Sequence, residues 1–133
     1  MSRPHSWWYK KTKTDFNKYI RLLKSDNKGN CVCVTCGKKL HYKEAHAGHF
    51  QHGLHFREDN QHIQCPRCNL FLSGNLSKYT LYMIDRYGRP KVEELIREKN
   101  KIHKYGIPDL REMRGEIKKK IKELEGELLS GMG

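Results

Sequence analysis

The sequence contains no long apolar run. No segment approaches the roughly 20 consecutive apolar residues that a membrane-spanning helix requires. The N-terminal stretch "MSRPHSWWYKK" also lacks the apolar region of a signal peptide. These absences predict a protein that stays in a reducing cytoplasm and has no membrane partner.

Acidic residues are scarce relative to basic ones. Asp and Glu number 15 against 27 Lys and Arg, which gives a formal net charge of +12. Phosphate contacts from Lys and Arg supply much of the affinity of proteins that bind nucleic acids. The charge therefore favours DNA or another polyanion as partner, and the alternative is a basic protein without a nucleic-acid role.

The cysteines are odd in number, which argues against a simple disulfide framework. Four of the five form two C-x-x-C pairs, Cys33 with Cys36 and Cys65 with Cys68. Each pair can present two thiolates to a tetrahedral Zn²⁺. The spacing predicts one structural zinc ion, and Cys31 is expected to be a bystander thiol.

The pattern of apolar residues predicts a mostly helical α+β chain in three segments. Residues 1–30 form a basic arm with a helix that begins after a Thr14 N-cap. Residues 31–88 form a zinc-stapled core that ends with a helix from Asn75 to Gly88. Residues 89–133 form a helical extension, with one helix from Pro90 to about Asn100.

A regular apolar stripe follows in the last segment. It has the three- and four-residue spacing of a coiled-coil seam and consists of Leu110, Met113, Ile117, Ile121, Leu124 and Leu128. Two interpretations remain open. The stripe either forms the seam of a homodimer or packs back on its own domain.

The candidate catalytic residues lie around and within the insert between the two cysteine pairs. His49 is expected at the end of a short strand, Asn60 in the following loop, and Asn69 directly after the second pair. This order is that of the ββα-metal, or HNH, nucleases. In that arrangement His49 activates water, Asn69 binds a divalent ion through its amide oxygen, and Asn60 ties the loop and orients the His49 ring.

A second ligand for the catalytic ion is less obvious. Many nucleases of this fold carry a carboxylate or imidazole directly before the base, where this chain has Gly48. We expect His46 to replace it, brought to the side of His49 by a bulge at Ala47-Gly48. Mg²⁺ or Mn²⁺ suits such oxygen and nitrogen donors. Glu44, Glu58 and Asp59 are the alternative carboxylates.

Basic residues close to these positions are predicted to contact DNA phosphates without reading bases. They are Lys38, Lys39, Lys43, Arg57 and Arg67.

The chain resembles the phage NinG (Rap) recombination nuclease family over about residues 14 to 99. The shared motifs are "FNKYIR", "CVTCG", "AGHF", "LHFREDNQHIQCPRCN", "LSGN" and "YGRPKVEEL". The arrangement is also similar to the phage endonuclease VII group, in which an asparagine directly after the last knuckle cysteine is a metal ligand.

The resemblance implies a zinc-stapled HNH-like core and a structure-selective endonuclease. Such an enzyme nicks branched DNA, such as Holliday junctions and D-loops, during phage recombination in the host cell. Two alternatives are a zinc-stapled DNA-binding or recruitment protein without catalysis, and an HNH endonuclease that cuts plain duplex DNA.

Overall fold

The chain folds into two small antiparallel hairpins surrounded by helices. The computed structural model describes residues 2–132, and none of the helices in that range is long and apolar enough to cross a membrane. The elements are α1 (His5–Leu23), β1 (Asn30–Val32), β2 (Lys39–His41), β3 (His46–His49), β4 (Gln61–Gln64), a π-helical segment (Arg67–Phe71), α2 (Leu76–Tyr87), α3 (Arg89–Glu98) and α4 (Ile107–Met132).

The first helix begins well before its predicted start. α1 starts at His5, and Thr14 lies inside it, where its hydroxyl donates to the Lys10 carbonyl at 3.0 Å. The predicted Thr14 N-cap is therefore wrong. The two tryptophans of the basic arm lie against arginines of α4, with Arg114 5.3 Å from the Trp7 ring centre and Arg111 5.1 Å from that of Trp8.

The C-terminal stripe packs on α1 of the same chain. Ile117 and Ile121 are buried in one cluster with α1 side chains, and Met113, Leu124 and Leu128 pack against that cluster. Arg114 Nε lies 2.7 Å from Asp15 Oδ2, which links the two helices at the edge of this contact. Of the two interpretations of the stripe, the intrachain one describes this structure, and a dimer would need another surface.

The second core lies between the β3–β4 hairpin and the pair α2 and α3. Both helices match their predicted positions, with Gly88 at a φ of 88° between them and Pro90 in the first turn of α3. A positive φ at that junction favours glycine, since other residues rarely adopt it. The buried side chains of this cluster are Phe50, Leu54, Tyr79, Met83, Val92 and Leu95.

Four cysteines from two distant segments meet beside β4. The Sγ atoms of Cys33, Cys36, Cys65 and Cys68 all lie within 4.8 Å of one another, and those of Cys36 and Cys65 are 3.7 Å apart. Tetrahedral zinc with Zn–S bonds of about 2.3 Å places its sulfur atoms about 3.8 Å apart. The cluster therefore fits the predicted zinc ion. Cys31 lies outside it and donates to the Leu40 carbonyl.

Replacing one ligand should remove the ion without disturbing a packed side chain. Cys36 is the exposed member of the cluster, so Cys36→Ser removes a thiolate with little loss of packing. We expect zinc measured by mass spectrometry to fall from one ion per chain to near zero, with a loss of several kcal/mol of unfolding free energy. Cys31→Ser is the control and should keep its zinc. Full zinc content in Cys36→Ser would contradict the assignment.

The intrachain role of α4 predicts a loss of stability rather than a change of mass. Ile117→Ala should lower the free energy of unfolding by about 2–4 kcal/mol, because it leaves a cavity between α1 and α4. Leu129→Ala, at a side chain that is 72% exposed, should change it by less than about 0.5 kcal/mol. Denaturant unfolding and light scattering measure both quantities. If Ile117→Ala left the stability unchanged and halved the solution mass, the stripe would be the seam of a dimer instead.

Candidate functional site

Asn69 and His46 meet between the π-helical segment and the start of β3. The Asn69 side-chain nitrogen lies 3.0 Å from His46 Nδ1. The backbone of Asn69 is held by the cysteine cluster, because its N–H donates to the Cys65 carbonyl at 3.0 Å. The two residues predicted as ligands of the catalytic ion are thus brought together.

A cleft of about 440 Å³ opens beside this pair. Glu44 lines the same cleft as His46 and Asn69, together with Arg21 and Lys43. One imidazole, one amide and one carboxylate are donors that a hard divalent ion accepts, with water completing its shell. Among the described residues, however, only the four cysteines form a group of three or more His, Cys, Asp or Glu donors within reach of one ion.

His49 lines an adjoining cleft of about 300 Å³. β3 pairs with β4 in continuous register, with His46 opposite Gln64 and His49 opposite Gln61. The predicted bulge at Ala47-Gly48 is therefore wrong, and residues three apart leave opposite faces of a regular strand. The two clefts still share a wall, because Thr14 and Asn17 of α1 line both of them.

The surroundings of His49 keep its imidazole neutral. Burial, and after it the neighbouring His55, His52 and Lys13, together lower the pKa of His49 to about 4. Its Nε2 lies 2.7 Å from the side-chain nitrogen of the buried Gln61. A neutral imidazole retains a lone pair at pH 7, which a general base requires.

Asn60 closes the loop between β3 and β4. Its side-chain nitrogen donates to the carbonyls of Gln51 and Leu54 at 3.0 and 2.8 Å, and its oxygen accepts from the Gln51 N–H at 2.9 Å. Both the nitrogen and the oxygen of the Asn60 side-chain amide are thus bonded within the loop. The predicted orienting contact from Asn60 to the His49 ring is replaced by the one from Gln61.

Residue 48 is a glycine because Gln64 occupies the space that a side chain there would need. A Cβ at this position would lie 1.8 Å from Gln64 Oε1. The Gln64 side-chain nitrogen donates to the Gly74 carbonyl at 2.8 Å, and the Gly48 carbonyl accepts from the Tyr79 hydroxyl at 2.7 Å. The position where an HNH-like site would carry a ligand side chain thus supports the hairpin in this chain.

The other candidate carboxylates are engaged elsewhere. The Glu58 carboxylate accepts a hydrogen bond from the Tyr19 hydroxyl. Asp59 accepts from Arg57 at 2.6 Å and lies 3.2 Å from Lys91 Nζ. The Arg57 pKa is raised, chiefly by its hydrogen bond to Asp59. Arg57 is therefore neutralised within the protein, and its predicted role in binding DNA phosphates is not supported.

The remaining predicted phosphate contacts differ in their distance from the clefts. Lys43 lines the cleft of His46, and Arg67 is exposed two residues before Asn69. Lys38 and Lys39 are exposed on the first hairpin, where Lys39 lines a separate cleft with Asp26. Only part of the predicted basic set therefore surrounds the site.

One polar face of α1 was missed. It lines the two clefts and consists of Lys10, Lys13, Thr14, Asn17 and Arg21. These positions are spaced by three, one, three and four residues, which is the period of one helical face. This helical spacing was present in the sequence, but a predicted helix that begins at Thr14 leaves Lys10 and Lys13 outside the helix.

The comparisons with known proteins agree on one family. A protein-family model described as "NinG: Bacteriophage Lambda NinG protein" matches residues 1–127. Proteins named "Protein ninG" from Escherichia phage lambda and Salmonella phage P22 are each 32% identical over 127 residues. The match covers 92% of this chain and, respectively, 59% and 60% of those proteins.

The chain therefore spans about three fifths of the length of the curated relatives that it matches. No solved structure matches it significantly. The family match reaches from α1 into α4 and includes the cysteine cluster and both clefts. On this basis the chain belongs to the NinG family.

Proposed function

We propose that this protein is a metal-dependent endonuclease that cuts branched DNA during phage recombination. The observation that carries the proposal is the neutral, half-buried His49 in a cleft that shares its wall with the cleft of His46 and Asn69. The hairpin β3–β4, followed by the second cysteine pair and a helix, also has the element order of the HNH nucleases. Both features support an HNH-like mechanism.

His46 and Asn69 would hold the catalytic ion, with Glu44 as the nearest carboxylate that shares their cleft. Mg²⁺ or Mn²⁺ bound there would supply positive charge to the leaving 3′ oxygen and to the crowded phosphorane. The hydrogen bond between His46 and Asn69 would have to open, since Asn69 currently presents its nitrogen to the imidazole. A 180° turn of the amide presents its oxygen instead.

His49 would take a proton from the attacking water. Gln61 fixes the ring through Nε2. In the structure the Gln61 amide presents its nitrogen to Nε2, which places the ring proton on Nδ1. A 180° turn of that amide would present its oxygen to Nε2–H instead, and the basic nitrogen would then be Nδ1. His46 and His49 lie on opposite faces of β3, so the wall that Thr14 and Asn17 share is what would bring the base and the ion to one phosphate.

The scissile phosphate would then lie across Thr14 and Asn17, which border both clefts. Lys10 and Lys13 flank one side, and Arg21 and Lys43 flank the other. Four cations around one strip can bind the backbone of either DNA strand without reading bases. A homodimer would place two such strips on one junction, through a surface other than the α4 stripe.

A second candidate is a DNA-binding protein without catalysis. It is favoured by one observation: the described residues contain no group of three His, Cys, Asp or Glu donors apart from the cysteines. Incubating a labelled four-way junction, a flap and a linear duplex with Mg²⁺ or Mn²⁺ separates the alternatives. Cutting of the junction supports the proposal, cutting of all three supports a duplex nuclease, and binding without cutting supports the second candidate.

His49→Ala should remove activity without removing binding. We expect the cleavage rate of the junction to fall at least about 10²-fold, because the base is lost. Zinc content and junction affinity should stay unchanged. His103→Ala is the matched control, since His103 bonds the Glu98 carbonyl outside both clefts. Equal cleavage by His49→Ala and the unmodified protein would reject the proposed base.

The environment of His49 predicts its titration. Its pKa of about 4 means that the imidazole stays neutral as the pH falls from 8 to about 5 and gains a proton only below that. Imidazole signals in NMR spectra, assigned by comparison with His49→Ala, measure this directly. Lys13→Ala should move the pKa upward, because it removes a neighbouring positive charge. A midpoint near the ordinary value of about 6.5 would contradict the buried geometry.

A further inference from the structure

An exposed apolar tip projects directly after Asn69. Phe71 is 82% exposed, and its neighbours Leu70 and Leu72 are 61% and 42% exposed. Leu76, at the start of α2, is 56% exposed. Single exposed apolar residues are ordinary, but four within seven residues form a patch that marks a binding surface. This group of four is called the apolar tip below.

The backbone that carries the apolar tip is held in a strained shape. Residues 67–71 are π-helical, and Ser73, Gly74 and Asn75 all have positive φ, at 49°, 89° and 49°. Two of these three residues are not glycine, so the conformation is costly and must be imposed by its surroundings. Strain of this kind concentrates at functional sites.

The surroundings that impose it are the cysteine cluster and β4. The Gly74 N–H donates to the Cys68 carbonyl at 2.8 Å, and Gln64 donates to the Gly74 carbonyl at 2.8 Å. The Asn75 side-chain nitrogen lies 3.7 Å from Cys68 Sγ. The apolar tip is thus mounted on a segment that the cysteine cluster and β4 hold in place, with Phe71 outside.

The charge around the apolar tip selects its partner. The sequence has no Asp or Glu from residue 60 to residue 84, although the chain has 15 in all. Arg67 and Lys78, on either side of the tip, are both exposed. The apolar tip lies between these cations and next to the cleft that Arg21 and Lys43 line. Such a surface complements a partner that has both apolar faces and anionic groups. Stacked nucleobases on a phosphate backbone have that combination.

We propose that Phe71, supported by Leu70 and Leu72, inserts against unpaired or unstacked bases at a DNA branch point. The inference rests on the proposed function only in placing the phosphate near Asn69. Insertion between bases costs stacking energy, and that cost is smallest where stacking is already interrupted. The apolar tip would therefore make binding to branched DNA tighter than binding to continuous duplex.

The test uses the full chain with Ca²⁺ in place of Mg²⁺, so that binding is observed without cutting. The probe is a four-way junction with 2-aminopurine, a fluorescent adenine analogue, at the branch. Binding of the unmodified protein should raise its fluorescence as the base unstacks. Phe71→Ala should abolish the rise and weaken junction binding about tenfold, with duplex binding changed less than twofold. Phe71→Trp should restore both.

Leu81→Ala is the matched control, because Leu81 is 64% exposed on α2 and lies outside the apolar tip. It should behave like the unmodified protein. Both side chains are exposed, so melting temperature and zinc content should not change in either variant. Equal fluorescence and affinity for Phe71→Ala and the unmodified protein would overturn the inference. A lower solution mass for Phe71→Ala with unchanged fluorescence would also overturn it, in favour of contact between two copies.

The two proposals can fail separately. A protein that raises the fluorescence through Phe71 but cuts no substrate with Mg²⁺ or Mn²⁺ retains the apolar tip and loses the nuclease. If the unmodified protein and Phe71→Ala cut the junction equally well, and neither changes the fluorescence at the branch, the nuclease proposal stands and the proposal for the apolar tip fails.

Discussion

The meeting of four sulfur atoms from two distant segments determines where the site residues lie. Cys65 follows β4 directly, and Cys68 precedes Asn69 directly, so one cluster fixes both the hairpin and the segment that faces it. The bond from the Asn69 N–H to the Cys65 carbonyl carries this constraint to the His46 contact. The family match spans this segment, whose geometry depends on the cysteine cluster.

α1 has two functions that lie on different faces. Its apolar face packs on Ile117 and Ile121 of α4, while Thr14 and Asn17 on another face border the two clefts. α4 thus supports the helix that borders the site, although none of its described residues lines either cleft. Removing its apolar stripe would leave α1 without the contact that orients its polar face.

The sequence allowed the local elements to be predicted better than their contacts. The cysteine pairs, the helix from Asn75 to Gly88 and the one opened by Pro90 follow from spacing, capping and turn chemistry, which are local. The start of α1 at His5 follows Pro4, which is a local start signal, but the contact of its tryptophans with arginines about a hundred residues away cannot be read locally. Likewise, Asn60 and Gln61 are adjacent amides, and only the hairpin register decides that Gln61 faces His49. From the sequence Arg57 was predicted to bind DNA phosphates, but in the structure Asp59 and Glu94 pair with it.

Gly48 shows how a residue without a side chain supports the strand that carries His49. Without a side chain at residue 48, the backbone accepts the Tyr79 hydroxyl, and Tyr79 is in turn contacted by His62 Nδ1 at 3.1 Å. Since the Tyr79 hydroxyl has one proton, which goes to Gly48, His62 must donate from Nδ1 and accept from Tyr87 at Nε2. Burial lowers the pKa of His62 to about 3, which keeps this arrangement of protons intact at neutral pH. The chain of bonds fixes β3 one residue before His49. A larger residue at 48 would displace Gln64 and release Gly74, and with it the strained loop beside Asn69.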